Sequence, residues 1–233
     1  MDPTRVMDGL FWFVAFLFST TVHEAAHAFL ALRGGDATAY RGGQVSLSPI
    51  PHIKREPIGM LVVPLITAFT RGWALGWAST PFDPVWAQRY PRRAALMSMA
   101  GPLANISLAL LAWVGLRAGL STGYFEFPGL DRIAPDQMVA YAGEAANGVG
   151  AFLAKGLSVL FTLNVFLAAF NLLPLPPMDG ASAVVGILPR DLADRASAVM
   201  RNPSFSLVGL LVAWMIFPKI VEPLFLMAVR SLY

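Results

Sequence analysis

The chain has 233 residues, 56% of them hydrophobic and 13% charged, with a formal net charge of +3 and no cysteine. Against a usual quarter of charged residues, this balance excludes a soluble protein built on one core and points to an integral membrane protein. The missing cysteines exclude a disulfide framework and a thiolate metal site, and no Lys/Arg tract offers a surface for nucleic acid.

Asp8 stands beside Arg5 ahead of the first apolar run, which is a poor signal-peptide start, and no small-residue cleavage site follows it. We read that run as a retained span. Four stretches reach the ~20 apolar residues that cross a bilayer: roughly 9–32, 94–117, 148–173 and 204–230. Residues 38–50, TAYRGGQVSLSPI, alternate polar and apolar around a Gly-Gly turn and predict a small β-hairpin. Next comes IGMLVVPLITAFT, 58–70, broken by Pro64 and flanked by Lys54, Arg55 and Arg71. It spans only about 20 Å as a helix and predicts a re-entrant segment. The last stretch carries Pro218, Lys219, Glu222 and Pro223, which predict a bend or an interfacial portion.

Charge supports this topology. If 58–70 does not cross, the loops 33–57, 71–93 and 174–203 share one side and gather most of the lysines and arginines, Arg33, Lys54, Arg55, Arg92, Arg93 and Arg190 among them. The opposite loop, 118–147, carries acidic Glu126, Asp131 and Asp136. The positive-inside rule makes the first side, with its hairpin, cytoplasmic. The expected fold is an all-α polytopic membrane protein: about four transmembrane helices, a re-entrant segment and a small cytoplasmic-face β-hairpin, forming one membrane-embedded domain over 1–233.

Inside the first span lies His23-Glu24-Ala25-Ala26-His27, an HExxH motif in a chain with only three histidines. On a helix, positions i and i+4 share a face, so both imidazoles can reach one metal ion. Glu24, adjacent to the first of them, can take a proton from water. Zn2+ suits nitrogen and oxygen ligands and makes water acidic near neutral pH. Ionisable groups inside a span are costly and mark function. By helical rise, His23 is about 21 Å from Gly9 and His27 about 10 Å from Gly34, which puts the site within the bilayer, nearer the cytoplasmic face. A catalytic zinc site takes three protein ligands. The third candidate is Asp179 in NLLPLPPMDGASAV, where Pro174, Pro176 and Pro177 break a span near the same depth. From the residues alone Asp179 reads equally as a ligand or as a helix N-cap.

HEAAH on the first span, followed by NLLPLPPMDG after a later one, resembles the site-2 protease family of intramembrane zinc metalloproteases. AGPLAN, 100–105, is similar to the family's GPxxN element, and SLSPIPHIKREPIG, 46–59, to a pattern in a subset of it. The resemblance covers about residues 9–187. It implies that Asp179 completes the zinc site, and that the substrate is a transmembrane protein cut within the bilayer. Some relatives carry PDZ or CBS domains; neither is expected here. Asn105 and Asn171 are candidate donors to a substrate carbonyl or oxyanion, with a helix-to-helix hydrogen bond as the plainer role. His52 is a further candidate near the site, with an exposed surface position as its plainer reading. A zinc transporter, or a metal-binding membrane protein without catalysis, is the alternative function; a transporter predicts ligands on several spans.

Overall fold

The computed structural model describes residues 3–143, 148–200 and 202–233; the last four residues of the 118–147 loop lie outside them. The first span is helix α1, Pro3–Gly34. At about 1.5 Å per residue, its 32 residues reach roughly 48 Å, well beyond a hydrocarbon core of ~30 Å. The Gly34 carbonyl that ends it accepts from Trp86 Nε1 and from Arg93 Nη1, each at 3.0 Å. A cation thus meets the negative end of the helix dipole.

The expected hairpin at 38–50 does not form. Residues Thr38–Arg41 make a helical turn, α2, and Pro49–Arg55 make α3. Local side-chain hydrogen bonds to the backbone outweigh the alternation. Asp36 Oδ1 accepts from the Thr38 amide and hydroxyl, an Asx-type turn that sets the chain into α2. Ser48 accepts from the Ile50 amide ahead of Pro49, whose ring suits the first helical turn.

The segment that follows enters and returns. A π-helical turn, Ile58–Val62, leads into α4, Val63–Arg71. This helix rises along α1 until Phe69 lies against Gly9, close enough that a Cβ there would meet its ring at 2.8 Å. The chain turns at Gly72, φ 76°, and comes back with no helix or strand until Asp83. On the way Gly76 passes Phe16 and Pro64, the Trp77 amide donates to the Gly59 carbonyl at 3.1 Å, and Asp83 N donates to Asp36 Oδ2 at 2.8 Å. Both ends of this excursion lie at the Gly34 end of the bundle, as a re-entrant segment requires.

A short helix α5, Pro84–Arg89, leads to α6, Pro91–Ser121, which packs against α1, against α7, Val149–Asn171, and against α8, Asp179–Ile187. An amphipathic α9, Arg190–Met200, precedes α10, Pro203–Leu232, which stays one helix in spite of Pro218 and Pro223. Among the described residues, α1, α6, α7 and α10 are the four helices long and apolar enough to cross a membrane. They are not equivalent. The most apolar window of α10 is 11% buried, against 39–44% in the other three, so the core is α1, α6 and α7 with α10 outside.

The two short strands sit at the other end. Within the 118–147 loop, β1, Phe125–Glu126, pairs antiparallel with β2, Ala140–Tyr141, in the register Phe125↔Tyr141. Lys155 on α7 forms ion pairs with Asp8 of α1 and, at 3.2 Å, with Asp136 of this loop. The small sheet therefore lies opposite the Arg-rich loops, which corrects its expected position.

Asp36 ties the end of α1 to both α2 and the returning chain, and it is 4% exposed. Burial pushes its carboxyl up, but the Thr38 hydroxyl, the Asp83 and Thr38 amides and the Arg41 charge outweigh this and hold it below the ordinary carboxylate value. Its contribution is complete at neutral pH and fades as pH falls below about 4, where the unfolded chain takes up the proton first. Asp36→Ala is expected to cost about 2–3 kcal/mol at pH 7, measured by unfolding in detergent, with the difference from wild type shrinking in acid.

Candidate active site

His23, Glu24 and His27 are buried on α1, with ligand-type atoms all within 4.8 Å of one another. The two imidazoles meet edge to face, and their Nε2 atoms are 2.9 Å apart. Asp179 reaches them from a different part of the chain. After α7 ends, the proline-rich segment turns back, and Gly180 presses against the Leu172 and Leu173 carbonyls so closely that a Cβ would lie 2.3 and 2.6 Å from them. Further along, Gly209 of α10 leaves no room for a Cβ against the Pro176 carbonyl. Asp179 is the first residue of α8. No side chain caps that helix, and Asp179 Oδ2 lies 3.1 Å from His23 Nε2 and 3.3 Å from His27 Nε2.

The outer faces of both imidazoles are held. His27 Nδ1 lies 2.7 Å from the Met97 carbonyl, which can only accept, so that nitrogen carries the proton. For His23 the proton is assigned through a chain of amides. Asn164 Nδ2 donates to the Leu160 carbonyl and to Ser19 Oγ, each at 2.8 Å, which turns Asn164 Oδ1 toward Asn105 Nδ2, also 2.8 Å away. Asn105 Oδ1 then faces His23 Nδ1 at 2.5 Å and accepts from it. In the neutral imidazoles, the form that binds a metal, both Nε2 atoms are then bare lone pairs, directed at each other and at a carboxylate oxygen.

Three acceptors converging without a proton among them repel unless a cation lies between. A tetrahedral Zn2+ with bonds of about 2.0–2.1 Å spaces its ligand atoms about 3.3 Å apart; the three separations here are 2.9, 3.1 and 3.3 Å. The approach of α6 is close as well. A Cβ on Gly101 would lie 2.4 Å from both Nε2 atoms, too near for any side chain, so only glycine lets α6 pass this close to the ligand atoms. The donor set and its spacing fit zinc. Glu24 is set apart from this triangle: its Oε2 accepts from the Thr80 hydroxyl at 2.7 Å.

The other sequence candidates fall elsewhere. Asn105 is fully buried with both ends of its amide engaged, so it holds His23 and is not available to a substrate. His52 is 1% exposed, not on the surface, and its Nε2 bonds the Ser46 carbonyl at 3.0 Å, bracing the turn into α3. Asn171 is half-buried at the end of α7 and donates to the Leu167 carbonyl of its own helix. Sequence reasoning missed Asn164 and Thr80. A buried asparagine one helical turn along from Leu160 was a visible signal for the first; nothing local marks the second.

A helical membrane bundle with a buried HExxH helix and a third ligand-type carboxylate is the arrangement of a membrane metallopeptidase. Residues 11–212 match the model of Peptidase family M50, and the chain belongs to that family. YwhC of Bacillus subtilis (strain 168), provisionally named a zinc metalloprotease, is 31% identical over 176 residues, covering 76% of this chain and 68% of that protein. Rip2 of Mycolicibacterium smegmatis, provisionally named in the same way, is 29% identical over 171 residues, covering 72% and 53%. Rip2 of Mycobacterium tuberculosis (strain ATCC 25618 / H37Rv), again so named, is 29% identical over 199 residues, covering 85% and 64%. The chain thus spans between about half and two thirds of the length of these relatives. No solved structure matches it.

Asn105→Ala frees the His23 ring, and it is expected to weaken zinc binding about 10–100-fold, read by competition with a chromogenic chelator. Asn171→Ala is expected to leave that affinity unchanged.

Proposed function

We propose that the protein is an intramembrane zinc peptidase that hydrolyses peptide bonds in or near the transmembrane helices of membrane-protein substrates. The observation that carries this reading is the cluster of three unprotonated acceptors, His23 Nε2, His27 Nε2 and Asp179 Oδ2, about 3 Å apart beside the Glu24 carboxylate. A catalytic metal site differs from a structural one in having three protein ligands and an open position, and three ligand-type atoms, not four, make up this triangle.

In this reading His23, His27 and Asp179 hold Zn2+, which when bound acts as a Lewis acid toward a carbonyl and toward water. Glu24 takes one proton from the attacking water as its oxygen bonds to the carbonyl carbon. The same carboxylate returns that proton to the amide nitrogen as the C–N bond breaks. Asn105 and the Met97 carbonyl keep the imidazoles oriented throughout. Asn171 has one amide hydrogen without a described partner and is the remaining candidate to contact the substrate. The substrate helix unwinds first, since a hydrogen-bonded helical amide is shielded from attack. The protein spans the membrane several times. With the Arg-rich loops facing the cytoplasm, the site lies within the bilayer nearer that face.

A zinc transporter would need ligand clusters at successive depths. Among the described residues one such cluster is present.

Glu24→Gln keeps the three ligand atoms and removes the base. It is expected to bind zinc as wild type does and to lose at least about a hundredfold in cleavage. Membrane proteomics of cells carrying either form should show span-containing proteins accumulating uncut in the variant. Equal cleavage by both forms would remove Glu24 from the chemistry.

A further inference from the structure

The returning limb of the re-entrant segment, residues 72–83, crosses α1 at the level of the HExxH motif. Its amides at 75 and 77 are bonded to Thr67 Oγ1 and to the Gly59 carbonyl, and the amide at 83 to Asp36. Between these anchors, no backbone hydrogen bond is made by residues 78–82 among the described residues. The side chains there point to opposite sides, as extended chain dictates. Ser79 donates to Glu56 Oε1 at 2.6 Å and accepts from Arg55 Nε at 3.2 Å. Thr80, next to it, turns the other way, and its hydroxyl lies 2.7 Å from Glu24 Oε2 and 3.0 Å from the Glu24 carbonyl.

One hydroxyl hydrogen thus faces two acceptors of a single residue. The shorter, charge-assisted bond goes to the carboxylate. Glu24 is 5% exposed, and Oε1 has no hydrogen-bond partner among the described residues. We propose that Thr80 is a positioning residue: it fixes the Glu24 carboxylate so that its free oxygen faces the site, and the Ser79–Glu56 bond anchors the strap that carries it. This rests on the reading of Glu24 as the base. It makes the re-entrant segment part of the catalytic machinery and not only a lining of the bundle. A base displaced by about 1 Å loses a large share of its rate, and an unbraced Glu24 has no other described side chain to hold it.

The test compares wild type, Thr80→Val and Thr80→Ser, with Glu24→Gln as control, in detergent. Fluorescently labelled casein serves as the peptide probe. Zinc content and the visible spectrum of the cobalt(II)-loaded protein are read on each form. Thr80→Val keeps the shape and deletes the hydroxyl. It is expected to lower kcat about ten- to a hundredfold with KM and zinc content unchanged, and to alter the cobalt spectrum. Thr80→Ser is expected to recover most of the rate and the wild-type spectrum. Wild-type kcat and spectrum in Thr80→Val would overturn the proposal, and so would equal losses in Val and Ser. Full cleavage by Glu24→Gln, or no cleavage by wild type, would count against the protease reading; the cobalt spectra alone then decide the placement of Thr80.

Discussion

Two imidazole nitrogens and a carboxylate oxygen, all unprotonated, are brought within about 3 Å of one another in a mostly apolar bundle, and the rest of the molecule is arranged around keeping them there. Left alone, such a cluster flies apart or takes up protons. What prevents it is how closely α6 approaches α1. Three residues of AGPLAN divide the work. Gly101 lets the backbone of α6 come up to the two Nε2 atoms. Pro102 removes the helical donor that the Ser98 carbonyl would have used, which loosens the turn whose neighbouring Met97 carbonyl accepts from His27. Asn105, a turn further on, accepts from His23. The element is thus a description of one face of a helix, read against the HExxH face of another.

The same logic of paired polar groups extends outward. Ser19, Asn164 and Asn105 form a ladder across α1, α7 and α6, each member fully buried and each bonded to the next. In a low-dielectric interior such groups are tolerated only when fully paired. Asp36 does the equivalent at the Arg-rich end, and Lys155 with Asp8 and Asp136 at the other. These polar ties act together with van der Waals packing to fix helix register in the bundle.

Much of this was legible from residue order. HExxH sets its own geometry once it lies on a helix, and runs of about 20 apolar residues announce spans through length alone. The re-entrant segment was legible because 58–70 is too short to cross and the charge asymmetry fails if it does. Asp179 could not be separated from an N-cap, because that choice depends on where α8 lands against α1, a contact between residues 156 apart in sequence. The hairpin at 38–50 was misplaced because the Asp36 side chain turns the chain into α2 and Ser48 caps α3, and a two-residue period says nothing about such local bonds. His52 was expected at the surface on composition; the turn that buries it is made by a bond to a main-chain carbonyl six residues back. Thr80 was out of reach, since extended chain carries no periodic pattern that tells which side chain faces inward.

The sparse burial of α10 has a mechanical meaning. With only 11% of its most apolar window buried, α10 is positioned by a few contacts and not by a broad packed face. Yet α10 is in main-chain contact, through Gly209, with the Pro176 carbonyl, three residues ahead of the carboxylate at position 179. At its far end the same helix is tied to α6, where Arg117 Nη1 donates to the Leu232 carbonyl at 2.6 Å, so the arm that completes the metal-binding triangle is braced by a rod anchored at the opposite end of the bundle.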